Sequence, residues 1–154
     1  MSEHTSNLLA DAVALAARAH QPQVDKSGEP YILHPLRVML RLREQGHRVE
    51  VQAAAVLHDV VEDTPVTLDD VADLDPAVAV LVDAMSRRIV GVTKEIYLDF
   101  IRRAASNPEA RALKIADIED NMSRLDRLRP EEAAFLAKRY ERALEILMSE
   151  DIDD

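Results

Sequence analysis

Leu57-His58-Asp59-Val60-Val61-Glu62-Asp63-Thr64 sets three carboxylates and an imidazole directly behind an apolar run. Val51, Ala54, Ala55, Leu57 and Val60 recur at helical spacing, so a helix is predicted over residues 49–61, with Pro65 ending it soon after. On one continuous helix His58 and Glu62 are four apart, and so are Asp59 and Asp63, so the two pairs project on neighbouring faces of the same end. Glu62 and Asp63 would then oppose the helix dipole and need a compensating cation. Imidazole with carboxylate suits a divalent ion such as Mn²⁺, Fe²⁺ or Zn²⁺. By itself, however, the stretch reads more simply as a solvated helix end with a stray histidine, because a metal site needs more ligands.

The residues on either side continue the helical pattern. Leu8, Leu9, Ala12, Val13, Leu15, Ala16 and Ala19 follow the capping candidates Thr5 and Ser6, predicting a first helix that runs to about His20. Residues 21–34 form a long loop carrying Ser27-Gly28-Glu29-Pro30, a length often associated with function. Pro35 suits the first turn of a second helix and Gly46 its end. Beyond Pro65, Thr67-Leu68-Asp69-Asp70 resembles a capping box, and Asp75-Pro76 opens a helix to about Met85. Residues 86–92 read as a connector. Thr93 is placed to cap a helix over residues 94–105. Asn107-Pro108 opens another that carries Leu113, Ile115, Ile118, Met122 and Leu125, and Pro130 starts the last, ending near Met148. No segment reads as a strand, and only residues 150–154 look frayed. The expectation is one all-α domain over residues 1–154, with seven or eight helices.

Composition narrows the function. The chain has 154 residues, 47% hydrophobic and 31% charged, enough for a buried core under a solvated surface. Its three glycines are scattered, which excludes a Gly-rich phosphate loop, and the absence of cysteine excludes disulfides and thiolate nucleophiles. A net charge of −10 argues against nucleic-acid polymers as partners. A small anionic substrate remains compatible if a cation reverses the field within one pocket. With neither a membrane-length apolar run nor a signal-like N-terminus, the cytoplasm is the expected location.

Two further stretches carry chemistry. His34 stands between Tyr31-Ile32-Leu33 and Pro35, restrained at a loop-to-helix junction where it is either a ligand or a capping or core histidine. Asp117, in Lys114-Ile115-Ala116-Asp117-Ile118-Glu119-Asp120-Asn121-Met122, lies among apolar neighbours and shares a face with Asn121. Burial there demands a cation, which an arginine or a metal would equally supply.

Taken together, Arg18-Ala19-His20, Lys26-Ser27-Gly28-Glu29-Pro30-Tyr31-Ile32-Leu33-His34-Pro35-Leu36, His58-Asp59-Val60-Val61-Glu62-Asp63-Thr64, and Lys114-Ile115-Ala116-Asp117 with Asn121-Met122 resemble the HD-domain superfamily. Over residues 16–125 they more closely resemble the hydrolase domain of the RelA/SpoT alarmone family and its small stand-alone members. The resemblance implies a helical HD fold and a metal site of His34, His58, Asp59 and Asp117, usually holding Mn²⁺. Such an ion would acidify a water and polarise a phosphoryl group. The resemblance further implies that Glu62 and Asp63 handle the water or the leaving oxygen. The implied substrate is guanosine tetra- or pentaphosphate, which loses pyrophosphate from the ribose 3′ position to leave GDP or GTP.

Arg18, Lys26 and Asn121 match positions that in the family hold the nucleotide. Tyr97 is placed either to stack on or hydrogen-bond it, or to pack in the core. Where such hydrolases commonly have consecutive basic residues before Ser-Gly, this chain has Asp25-Lys26. An anion thus replaces a cation that would meet guanine or phosphate, and Asp25→Arg is expected to favour the guanine nucleotide. Asp120, where many members have His, changes the pocket edge. Other readings are an HD phosphohydrolase for another nucleotide or phosphoester, and a non-catalytic nucleotide-binding or interaction module.

Overall fold

Side-chain caps start three of the helices where the sequence places them. The computed structural model describes residues 3–149, with side chains from Asn7 onward, so the frayed end expected over residues 150–154 lies outside the described residues. The order is α1 (Glu3–Ala19), α2 (Leu33–Glu44), α3 (Val49–Leu57), α4 (Val60–Asp63), α5 (Leu68–Leu74), α6 (Pro76–Met85), β1 (Ile89–Val90), β2 (Thr93–Lys94), α7 (Tyr97–Ala105), α8 (Pro108–Met122), a 3₁₀ turn (Leu125–Arg127) and α9 (Pro130–Met148). Thr67 and Asp70 close a reciprocal capping box on α5. Asp75 accepts from the Ala77 and Val78 N–H groups at the head of α6, and Asn107 accepts from Glu109 and Ala110 at the head of α8.

Four details differ from the sequence-based expectation. α1 begins at Glu3, which puts Thr5 and Ser6 inside the helix instead of at its cap. The helix expected over residues 49–61 is divided into α3 and α4. The Ala55 carbonyl, which an unbroken helix would give to the Asp59 N–H, accepts from the His58 backbone at 3.4 Å and from the His58 ring at 2.6 Å. The stretch expected to be a connector and a capped helix start forms an antiparallel hairpin, Ile89 opposite Lys94 and Val90 opposite Thr93. Its β-branched residues favour extension, and Gly91 at φ +67° makes the reversal. Thr93 therefore lies in β2, and α7 starts later, at Tyr97. Finally, Leu125 falls in the 3₁₀ turn, beyond the end of α8.

The core has two parts. α1, α2, α3, α5 and α6 bury alanine and aliphatic side chains with Met39 and Met85, joined by Ala110, Leu113 and Ala116 of α8. Phe100 and Ile101 of α7 pack with Ala143 and Leu147 of α9 around Ile118 of α8. α8 thus contributes to both clusters. No helix among the described residues is long and apolar enough to cross a membrane.

At the end of α2, the Gly46 N–H reaches Arg43 O at 3.1 Å and the His47 N–H reaches Leu42 O at 3.1 Å, with Gly46 at φ +84°. A Cβ at residue 46 would meet no atom within 4 Å. Gly46→Ala is therefore expected to cost backbone strain alone, about 1 kcal/mol, seen as a lower urea midpoint at unchanged m-value.

Candidate metal centre

The break after α3 turns His58 inward, where the residue is 1% exposed. The first turn of α2 brings in His34, the α3–α4 junction brings Asp59, and the middle of α8 brings Asp117. His34, His58 and Asp59 each place a donor atom within 4.8 Å of the others. Asp117 Oδ1 lies 2.9 Å from His34 Nε2 and 3.2 Å from His58 Nε2. Asp59 Oδ2 lies 3.1 Å from His58 Nε2 and 4.0 Å from His34 Nε2. The four candidate ligands therefore face one another.

The outer nitrogens of both rings define what the inner ones offer. His58 Nδ1 meets the Ala55 carbonyl, which only accepts, so Nδ1 carries the hydrogen. His34 Nδ1 meets Asp120 Oδ2 at 2.7 Å, and Asp120 is itself held by Arg37 at 2.9 Å and 3.1 Å. Each neutral ring then presents an Nε2 lone pair to carboxylate oxygens, an arrangement that requires positive charge between them. When protons supply it, the titration behaviour shows the demand. Burial alone would lower the His34 imidazole, yet its bonds to Asp117 and Asp120 raise it to about 9. Burial acts likewise on His58, and Asp59 and Asp117 overcome it. Burial would raise Asp59, but His58 holds it down to about 2.

Surrounding groups complete the site. Lys114 Nζ bonds Asp117 Oδ2 at 2.9 Å inside the protein, and the Tyr31 hydroxyl donates to Asp59 Oδ2. A cavity of about 250 Å³ opens on the centre, lined by Glu62, Arg87, Lys94, Tyr97, Asn121 and Arg139 among others. Glu62 accepts from the Arg87 backbone N–H, and the cation acting at the end of α4 is Lys94, which opposes the upward push on Asp63. Asp63 faces the neighbouring depression with Lys94, and burial, then Asp59 and Glu62, push its carboxyl up to about 6. Tyr97 lies beneath the Arg139 guanidinium, 3.6 Å from the ring centroid.

The other sequence-predicted contacts divide. Asn121 lines this cavity and a larger neighbour of about 370 Å³, which Lys26 also lines while paired with Glu132. Arg18 is exposed on the last turn of α1 and lies outside the lining of both cavities. It is His20 from that motif that is buried: it bonds Gln23 at 2.7 Å, and Gln23 donates to the Asp63 carbonyl at 2.7 Å. Asp120 and Tyr31 were not assigned to the centre from sequence. The spacing of Asp120, three residues after Asp117 on one helix, was the available signal.

Residues 12–142 match the HD domain family. The chain is 37% identical over 134 residues to a guanosine-3′,5′-bis(diphosphate) 3′-pyrophosphohydrolase of Aquifex aeolicus, a match covering 82% of this chain and 19% of that protein. It is 36% identical over 138 residues to the bifunctional (p)ppGpp synthase/hydrolase SpoT of Escherichia coli, covering 84% of this chain and 20% of that protein. The chain thus spans about a fifth of the length of these relatives. Its fold matches that of a solved metazoan SpoT ortholog, described as hydrolysing ppGpp, with a TM-score of 0.80 at 23% identity over 95% of this chain and 89% of the other.

Loss of the Asp120 acceptor leaves the His34 ring unoriented. Asp120→Ala is expected to weaken divalent-metal affinity about 10–100-fold, and Asp120→Asn, which keeps an acceptor, less. Calorimetric titration of each variant measures this.

Proposed function

Since the chain belongs to the HD-domain family, we propose that it is a metal-dependent phosphohydrolase that takes pyrophosphate from the 3′ position of guanosine tetra- or pentaphosphate and leaves GDP or GTP. The observation that carries this reading is the convergence of His34, His58, Asp59 and Asp117, with both imidazoles oriented from behind. The alarmone activity in the names of the relatives supports the choice of substrate. A divalent ion held by these four residues, with Mn²⁺ as our choice, supplies charge that acidifies a water and polarises a phosphoryl oxygen.

The protein's own groups do the rest. Glu62, in the wall of the cavity, orients the water. Asp63, with a carboxyl near 6, exchanges protons close to neutral pH. Water adds across the bond between the ribose 3′ oxygen and pyrophosphate: its oxygen goes to phosphorus, and a proton goes to the 3′ oxygen as that bond breaks. Arg87, Lys94 and Arg139 give the cavity positive charge that the chain as a whole, at −10, lacks. Asn121 borders the nucleotide where the two cavities meet, and Tyr97 lines the cavity at the metal centre. Lys26 meets the nucleotide at the neighbouring cavity. With α8 feeding both core clusters, we read residues 1–154 as one hydrolase domain, acting on a small nucleotide in the cytoplasm.

Protein purified without chelator is expected to carry a divalent metal and to release pyrophosphate from the alarmone. Chelation should stop the reaction and Mn²⁺ restore it. Asp59→Ala should reduce turnover to background while circular dichroism shows the helical fold intact. A protein with no divalent-metal affinity would overturn the reading.

A further inference from the structure

Resting on the nucleotide reading above, we propose that Asp25 selects guanine in this chain, its free carboxylate oxygen accepting from the N1–H and N2–H of the base. Asp25 belongs to the loop between α1 and α2, and that loop is braced from several sides. Asp25 Oδ1 accepts from the Ser27 N–H at 2.8 Å, the Ser27 hydroxyl at 2.7 Å and the Glu29 N–H at 3.0 Å. The Asp25 N–H donates to Glu29 O at 2.7 Å, and Val24 bridges to Pro30. Glu29 is held in turn by Arg124 at 2.6 Å and Arg127 at 3.0 Å. These bonds fix the carboxylate and leave Oδ2 out of the bracing.

The fixed carboxylate stands in the wall of the cavity of about 370 Å³. That cavity shares Tyr31, His34, Asn121, Leu136 and Tyr140 with the one at the metal centre, so a nucleoside in the first directs its phosphates into the second. Val24, Leu125 and Leu128 give apolar wall for a base, and Arg124 and Lys26 are donors for guanine O6. Guanine sets N1–H beside N2–H, and one carboxylate oxygen has lone pairs for both. Hypoxanthine lacks the 2-amino donor, and adenine presents an acceptor at N1. The expectation that an arginine at residue 25 would favour guanine is thereby reversed, since it would remove both the acceptor and the bracing.

Asp25→Asn separates the two roles: its Oδ1 still takes the loop donors, while an NH₂ replaces Oδ2 and opposes the base donors. The test is the affinity of Mn²⁺-loaded protein for GDP, IDP and ADP by calorimetry, together with kcat/KM on the 3′-pyrophosphorylated guanosine and inosine nucleotides. Wild type is expected to bind GDP about 10–100-fold more tightly than IDP, and Asp25→Asn to bring the two within about threefold. Asp25→Ala should also erase the preference and, because it removes the loop bracing as well as the acceptor, weaken all three nucleotides. A wild type that binds the three alike, or an Asp25→Asn variant that keeps the GDP preference, overturns the assignment. Failure to hydrolyse the alarmone, with GDP preference lost in Asp25→Asn, supports the assignment and overturns the reaction alone.

Discussion

A single carboxylate, Asp117, faces two imidazoles and a lysine in an interior that cannot screen them. A buried charge is tolerated only when its partners are held in good geometry, and removing one partner of such a pair generally costs about 3–5 kcal/mol. The architecture meets that demand with a different element for each group. α2 presents His34 from its first turn, the break before α4 turns His58 inward, and α8 supplies Asp117 together with Lys114 and Asp120. The second layer of bonds, Asp120 to His34 and the Ala55 carbonyl to His58, decides which ring nitrogen faces inward. Geometry at the centre is thus inherited from helix ends and one interruption.

The legible parts of the fold were the local ones. Asp75-Pro76, Asn107-Pro108 and the Thr67–Asp70 pair announce their helices because capping involves residues only a few positions apart. The break at His58 is hidden because the apolar spacing runs on through Val60, which is itself buried. What divides the helix is a ring-to-carbonyl bond that periodicity does not encode. The hairpin was missed for a different reason: two-residue strands are too short to show alternation.

At the site, the four candidate ligands are readable together only through the resemblance of the motifs to the HD-domain pattern, since each residue alone has an ordinary structural explanation. The resemblance puts Asp120 at the pocket edge; in space, Asp120 is 2% exposed and backs His34. Arg18 shows the converse, a matched position whose side chain lies outside both cavity linings. Asp25 was legible as a departure in charge, but its bonds to Ser27 and Glu29 depend on a folded loop.

The participation of α8 in both hydrophobic clusters has a mechanical consequence. Ala110, Leu113 and Ala116 anchor it to the N-terminal helices, while Ile118 anchors it to α7 and α9. Asp117 sits at the seam between those two holds, reaching across to α2 and the α3–α4 junction. A divalent ion held there would bridge groups from both layers, so that loading the centre and docking the C-terminal layer would be thermodynamically coupled.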